Sequence, residues 1–274
     1  MPLLKAYIIL VIQTKNISLL DISETFGTYD GSFVLYDNNL DSWKIYDLEE
    51  ATKRIPPEST YKIYDALLGL ESGIITPEHS SMTWNGDAFP FPSWEADQDL
   101  NSAMQNSVNW YFQAIDSQLG INRVQEFLNK IEYGNQTTSS NLDLYWSDFS
   151  LKISPLEQVT LLKKFNTNEL HLNFQNVFSV KNAIKIASTP NGNFYGKTGT
   201  GRVNGQDING WFIGYVETSD NSYYFATNIQ SDSNATGKKA FEITSDILKK
   251  ITYMELTNMK GLIVVISFFL FILY

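Results

Sequence analysis

Short apolar runs bounded by turn residues gather toward the two ends of the chain, and helical spacing fills its middle. "SFVLYD" (Ser32–Asp37) and "WKIYDL" (Trp43–Leu48) flank the turn-rich "NNLDS", a pattern that predicts a β-hairpin. From Pro57 to about Ala187 the apolar residues recur three and four apart. After the prolines at 56 and 57, Ile63, Leu67 and Leu70 share one face. Val108, Tyr111, Ile115 and Leu119 share another, and Val124, Phe127, Leu128 and Ile131 a third, with Asn122 as the candidate cap. "SPLEQVTLLKKF" opens as a capping box, Ser154 with Glu157, and Pro155 takes the first helical position. Past Pro190 strand signals return in "NFYGKTGT", "GWFIGYVET" and "SYYFATNIQ", and a last helix is expected around Lys238–Ile251.

These elements predict an α+β domain. Two early and three late strands form one five-stranded antiparallel sheet built from both chain ends, and a helical lobe (about 57–187) is inserted between them. A cleft is expected between sheet and helices. The chain divides into an N-terminal segment (1–20), one domain (21–252) and an apolar tail (253–274). "LLKAYIILVI" (Leu3–Ile12) carries a lysine and no small-residue cleavage site, which argues against a signal peptide. "GLIVVISFFLFILY" (Gly261–Tyr274) is uninterrupted but only 14 residues long, short of the about 20 that span a bilayer. It fits a truncated anchor, an interfacial segment or an end unrelated to the domain, and membrane association through it is the favoured expectation.

Charge and composition narrow the chemistry. Thirty acidic against twenty basic residues give the 274-residue chain a net charge of -10, which leaves no basic stripe for a nucleic-acid partner. The absence of cysteine excludes disulfides, thiolate metal sites and cysteine nucleophiles. The two histidines, His79 and His171, form no H-E-x-x-H pattern, so neither a histidine metal site nor a Ser-His-Asp triad is expected. A catalytic base, if there is one, must be something else.

"PPESTYK" places Ser59 and Lys62 one turn apart at a helix start. Alone, S-x-x-K more often means an N-cap serine beside a solvated lysine. Two further motifs change that weighting. "YGKTGTG" sets Lys197, Thr198 and Gly199 in a strand: a cation, a hydroxyl donor, and a glycine that would let a substrate lie along the strand edge. "NSVNW" sets Ser107 and Asn109 between the other two motifs. "GNFYGKT" is no phosphate loop, because Asn191 stands where its first glycine belongs and a turn follows instead of a helix. Ser219-Asp220-Asn221 lies between two strands and predicts a hairpin turn.

With S-x-x-K, S-x-N and K-T-G in that order, the stretch from about Asp21 to Ile251 resembles the extracellular penicillin-binding sensor domain of BlaR/MecR-type β-lactam signal transducers, relatives of the class D (OXA-type) β-lactamases. "STYKIYDALLGL", "WNGDAFPFPSWEADQDLNSAMQNSVNWYF", "YGN", "YWSDFSLKISPLEQV", "YGKTGTG" and "NGWFIGYV" carry the resemblance. It implies acylation of Ser59 by a β-lactam, with Lys62 taking its proton. Keeping a lysine neutral at pH 7 by shifting its pKa about three units costs about 4 kcal/mol, and the resemblance implies another route, a CO2-derived carbamate on Lys62 contacted by Trp146. Ser107 would relay a proton to the lactam nitrogen, and Lys197 would set the local field. The backbone N–H groups of Ser59 and Thr200 would form the oxyanion hole. Class D enzymes usually carry S-x-V, whereas Asn109 here can hydrogen-bond the lysine and compete with a carbamate. Of Arg54, Arg123 and Arg202, none stands where class D enzymes hold a substrate carboxylate, which leaves the Thr198 and Thr200 hydroxyls. The resemblance therefore implies a slowly deacylating receptor on the extracellular face of a bacterial membrane, with a hydrolysing class D-like β-lactamase as the alternative. No protease or signalling half is encoded in this chain. Trp94 and the Phe89–Pro92 run are expected to shape a loop, Trp110, Tyr111 and Phe112 to be core, and Tyr133 and Asn135 to end a helix at Gly134.

Overall fold

A computed structural model describes residues 16–258. Its strands are β1 (Asn16–Leu19), β2 (Asp30–Asp37), β3 (Ser42–Tyr46), β4 (Lys185–Thr189), β5 (Gly192–Val203), β6 (Gln206–Glu217) and β7 (Ser222–Gln230). They form one seven-stranded sheet in the order β1-β3-β2-β7-β6-β5-β4. The five expected strands are its centre, β3-β2-β7-β6-β5, all antiparallel. The five-stranded, wholly antiparallel expectation is nevertheless corrected. β1 adds a parallel edge beside β3, and β4 adds an antiparallel edge beside β5. Both extra strands are short and mostly exposed, so neither carries the alternation that marks a half-buried strand.

The helices are α1 (Ser23–Phe26), α2 (Leu48–Thr52), α3 (Lys62–Glu71), α4 (Leu100–Gln105), α5 (Asn109–Leu119), α6 (Ile121–Lys130), α7 (Pro155–Asn166), α8 (Phe174–Ala183) and α9 (Gly237–Asn258). The inserted lobe thus gives way to strand at Lys185, not after Ala187. The Ser154–Glu157 capping box opens α7 with Pro155 at its first position, as its sequence predicts. Asn122 does not cap: α6 starts at Ile121, directly after Gly120 at φ 74°. Thr218 N–H to Asn221 C=O at 2.8 Å closes the β6–β7 hairpin over Ser219–Asn221.

Both faces of the sheet are covered. Phe33, Leu35, Phe194, Phe212, Phe225 and Ile229 pack against α9 through Ala240, Ile243 and Ile247. On the other face Val34, Tyr36, Ile45, Tyr195, Trp211 and Ile213 join the helical core. Burial on both sides explains why the central strands read as nearly continuous apolar runs. α3 runs through the middle of the helical lobe, buried from Lys62 to Leu70. A helix so enclosed holds its first residues rigidly against β5. The apolar runs Leu3–Ile12 and Gly261–Tyr274 lie outside the described residues. No helix among the described residues is long and apolar enough to cross a membrane.

Candidate active site

Ser59 lies in a 3-10 turn, Glu58–Tyr61, that feeds directly into α3, and Lys62 is the first residue of that helix. The N-cap alternative for Ser59 fails, because no side-chain capping bond forms at this start. Its Oγ is instead 2.7 Å from Lys62 Nζ. Lys62 is wholly buried. Nζ also contacts Asn109 Oδ1 at 2.5 Å, the Ser107 carbonyl at 3.1 Å and Ser107 Oγ at 3.3 Å, and it stands 5.7 Å from the Phe112 ring centre. Asn109 is the first residue of α5. Ser107 sits just before it with φ 56°, a left-handed conformation that turns the chain between α4 and α5.

Lys197 comes from the opposite wall. On β5 it pairs with Ile213 of β6, and its Nζ donates to Ser107 Oγ at 2.9 Å and to the Thr198 carbonyl at 3.0 Å. Ser107 Oγ therefore bridges two lysines. Burial lowers Lys62 well below the ordinary lysine range; the Lys197 charge lowers it further, while Asp65 and Glu58 oppose the shift. Burial alone brings Lys197 down to about 7. A buried neutral amine beside a serine hydroxyl can accept that hydroxyl's proton.

Beside Ser59 runs the K-T-G strand. A Cβ placed on Gly199 would lie 3.1 Å from the Pro57 carbonyl and from Glu58 Cβ, and 3.2 Å from Ser59 N. The glycine thus admits the Ser59 turn, a second use of its missing side chain beside the substrate room expected of it. Thr200 is exposed, and its Oγ1 accepts the Gly237 N–H at 2.9 Å, leaving its own hydrogen free. Thr198 packs beneath the start of α9. A cavity of about 370 Å³ extends from Lys197 and Thr198 to Met104, Gln105 and Ile186. Trp146 meets the site through its backbone, its carbonyl accepting the Glu58 N–H at 3.1 Å, while its ring stacks on Tyr61 at 6.2 Å.

Three carboxylic acids near the site carried no motif. Asp65, one turn beyond Lys62 on α3, and Asp116 on α5 are both fully buried, and burial drives each carboxyl well above its ordinary range. Glu58, next to Ser59, is raised to about 8 by burial, against an opposing hydrogen bond from Asn209 and the nearby Lys62. Only the fold reveals them, since their burial depends on residues far away in sequence.

The contacts around Nζ favour a free amine on Lys62 over a carbamate. Nζ already has Asn109 Oδ1, Ser107 and Ser59 around it and Phe112 on a further side. An added carboxylate would compete with the Asn109 Oδ1 and Ser107 carbonyl contacts that the free amine makes.

Comparison with known proteins gives this arrangement a family. Residues 28–249 match the penicillin binding protein transpeptidase domain. The chain is 46% identical over 237 residues to the regulatory protein BlaR1 of Bacillus licheniformis, covering 86% of this chain and 39% of that protein. It thus spans about two fifths of that relative's length. It is 37% identical to the probable beta-lactamase YbxI of Bacillus subtilis, covering 86% of each chain. The solved C-terminal domain of the Bacillus licheniformis BlaR penicillin-receptor superposes with a TM-score of 0.83 at 46% identity, covering 86% of this chain and 96% of that one. The chain belongs to the penicillin-binding-protein transpeptidase-domain family, in the part of it that holds BlaR-type receptor domains and class D-like β-lactamases.

Proposed function

We propose that this domain captures β-lactams covalently at Ser59 and keeps them, as the receptor part of a resistance-inducing sensor facing the outside of a bacterial membrane. The observation that carries the reading is the 2.5 Å contact between Lys62 Nζ and Asn109 Oδ1. It leaves a free amine able to support acylation but not a carbamate able to sustain hydrolysis. Neutral Lys62 accepts the Ser59 hydroxyl proton as Oγ attacks the lactam carbonyl. The carbonyl oxygen gains negative charge and takes hydrogen bonds from the N–H groups of Ser59 and Thr200. As the C–N bond breaks, Ser107 Oγ, within reach of both lysines, passes the proton to the departing nitrogen. The substrate carboxylate faces the Thr200 hydroxyl, with Thr198 beside it. Deacylation needs a base to activate water, and Lys62 held by Asn109 and Ser107 serves that step poorly.

A class D-like hydrolase is the second reading, favoured by the similarity to YbxI along most of both chains. Time-resolved intact-mass spectrometry with benzylpenicillin separates the two. The receptor reading expects one adduct of the full drug mass that persists through a bacterial generation. Rapid return to the unmodified mass, with drug consumed over many cycles, would replace it with the hydrolase.

A further inference from the structure

Glu58 immediately precedes the nucleophile and is only 6% exposed. Its backbone is left-handed at φ 53°, a conformation that a non-glycine residue keeps only where its surroundings hold it. Those surroundings come from three directions. The Trp146 carbonyl accepts its N–H at 3.1 Å. From β6, Asn209 Nδ2 donates at 3.1 Å both to Glu58 Oε1 and to the Pro56 carbonyl, which also accepts Trp211 Nε1–H at 2.8 Å. Asn209 is itself fixed by Asn228 Nδ2, which donates to its Oδ1 at 2.9 Å. From β5, Gly199 and Gly201 leave room for the Glu58 side chain, and a methyl group on Gly201 would strike Oε1. The carboxyl thus ties β6 to the turn whose next residue is Ser59.

The same carboxyl also borders a cavity of about 290 Å³, lined among others by Ile55, Leu144, Phe149, Asp148 and Arg202. Little there would support a negative charge. Arg202 of β5 is committed to Asp207 by bonds of 2.7 and 3.2 Å. Asp148, on the segment between α6 and α7, is another acid. Lys62 of α3, itself lowered well below the ordinary lysine range by burial, only partly offsets the rise at Glu58, and Asn209 of β6 and Gln230 of β7 are uncharged.

We propose that Glu58 is a positioning residue that fixes the nucleophile turn as a neutral carboxylic acid, so that losing its proton loosens the turn and slows acylation of Ser59. The role rests on the acylation reading above. Burial, which brings this carboxyl up to about 8, places the loss at mildly alkaline pH. A proton held on Glu58 lets the group stay in its cradle, whereas a carboxylate there would seek water through the cavity.

The test uses the full chain with 13C-labelled glutamate carboxyls and benzylpenicillin as the acylating probe. One carboxyl resonance should titrate near pH 8 and be missing from Glu58→Gln. Second-order acylation rates are then followed from pH 6 to 9.5. Glu58→Gln, a neutral hydrogen-bonding isostere, should stay within about threefold of the native rate at pH 6.5. The Gln-to-native rate ratio should rise by about tenfold at pH 9.5, a comparison in which any change at Lys197 cancels. Glu58→Ala, which frees Asn209, should be about tenfold slower at every pH, with circular dichroism reporting that it is folded. A titrating carboxyl with a flat ratio would sink the positioning role alone. So would the absence of any carboxyl titrating above pH 6.5. A native chain that takes no adduct at any pH would remove the acylation reading and this role with it.

Discussion

Lys62 Nζ donates to Asn109 Oδ1 at 2.5 Å while standing 2.7 Å from Ser59 Oγ. One amine thus serves the nucleophile and is restrained by an amide from the neighbouring helix. The restraint has a geometric source: Asn109 is the first residue of α5, and Lys62 is the first residue of α3. Two helix starts meet at the amine, and β5 closes the third side with Lys197.

Replacing the nucleophile separates chemistry from folding. The Ser59 side chain makes its hydrogen bond to Lys62 and caps no helix. Ser59→Ala should abolish the drug adduct while changing unfolding free energy by no more than about 1 kcal/mol, the usual worth of one hydrogen bond. Intact mass and urea denaturation check the two halves. An adduct that survives in Ser59→Ala would place the nucleophile elsewhere.

What the sequence disclosed, and what it hid, follow from the range of the interactions. The central strands and α7 were legible because apolar runs bounded by turn residues and a capping box are local signals. β1 and β4 were not, because short exposed strands are defined by their partners. Ser59, Lys62, Ser107 and Lys197 could be named as motifs, and the fold brings all four together through Lys62 and Ser107. Glu58 could not be singled out. Its burial depends on Asn209, 151 positions away, and its left-handed backbone leaves no trace in residue type. Gly199 stood out as room for substrate, while the approach of Pro57 and Ser59 that its missing side chain also admits is visible only in three dimensions.

That approach is testable directly. A methyl group on Gly199 would press on Pro57 O, Glu58 Cβ and Ser59 N at 3.1–3.2 Å, contacts that force a neighbour to move by a few tenths of an ångström. Displacing a nucleophile by even a fraction of an ångström erodes a near-attack geometry. Gly199→Ala should therefore reduce the acylation rate by about tenfold, with the chain still folded by circular dichroism. Unchanged acylation kinetics would mean that the turn adapts freely and that Gly199 does not set its position.

Lys197 gives a pH-dependent stability with a definite sign. Its folded pKa is brought to about 7 by burial, from an ordinary 10.5. Between those values the unfolded chain holds a proton that the folded chain has released, so this residue's contribution to stability rises with pH and is lost as pH falls toward 7. Lys197→Met removes the titration. Relative to that variant, the native chain should gain about 2 kcal/mol between pH 7.5 and 9.5, measured by urea unfolding. A constant difference across that range would show that Lys197 stays charged in the folded protein.

The proposed retention of the drug is assigned to Asn109. In the resting site its carbonyl oxygen takes one Lys62 hydrogen, and Ser107 takes another. Both contacts persist more readily with a free amine than with a carbamate, whose own oxygens would face two acceptors. Asn109→Val removes the stronger of these obstacles and replaces it with an apolar surface of similar size, beside the Phe112 ring already present. The variant should carry a longer-lived carbamate, seen as a 13C signal from labelled bicarbonate, and should release the acyl group faster. A tenfold rise in deacylation corresponds to about 1.4 kcal/mol of transition-state stabilisation, which one removed competing hydrogen bond can supply. Acylation itself should change little, because Ser59 Oγ keeps its 2.7 Å contact with Lys62. If Asn109→Val gains neither a carbamate signal nor faster release, the amide is not what holds the adduct in place. The explanation would then have to lie with how water reaches the Ser59 ester.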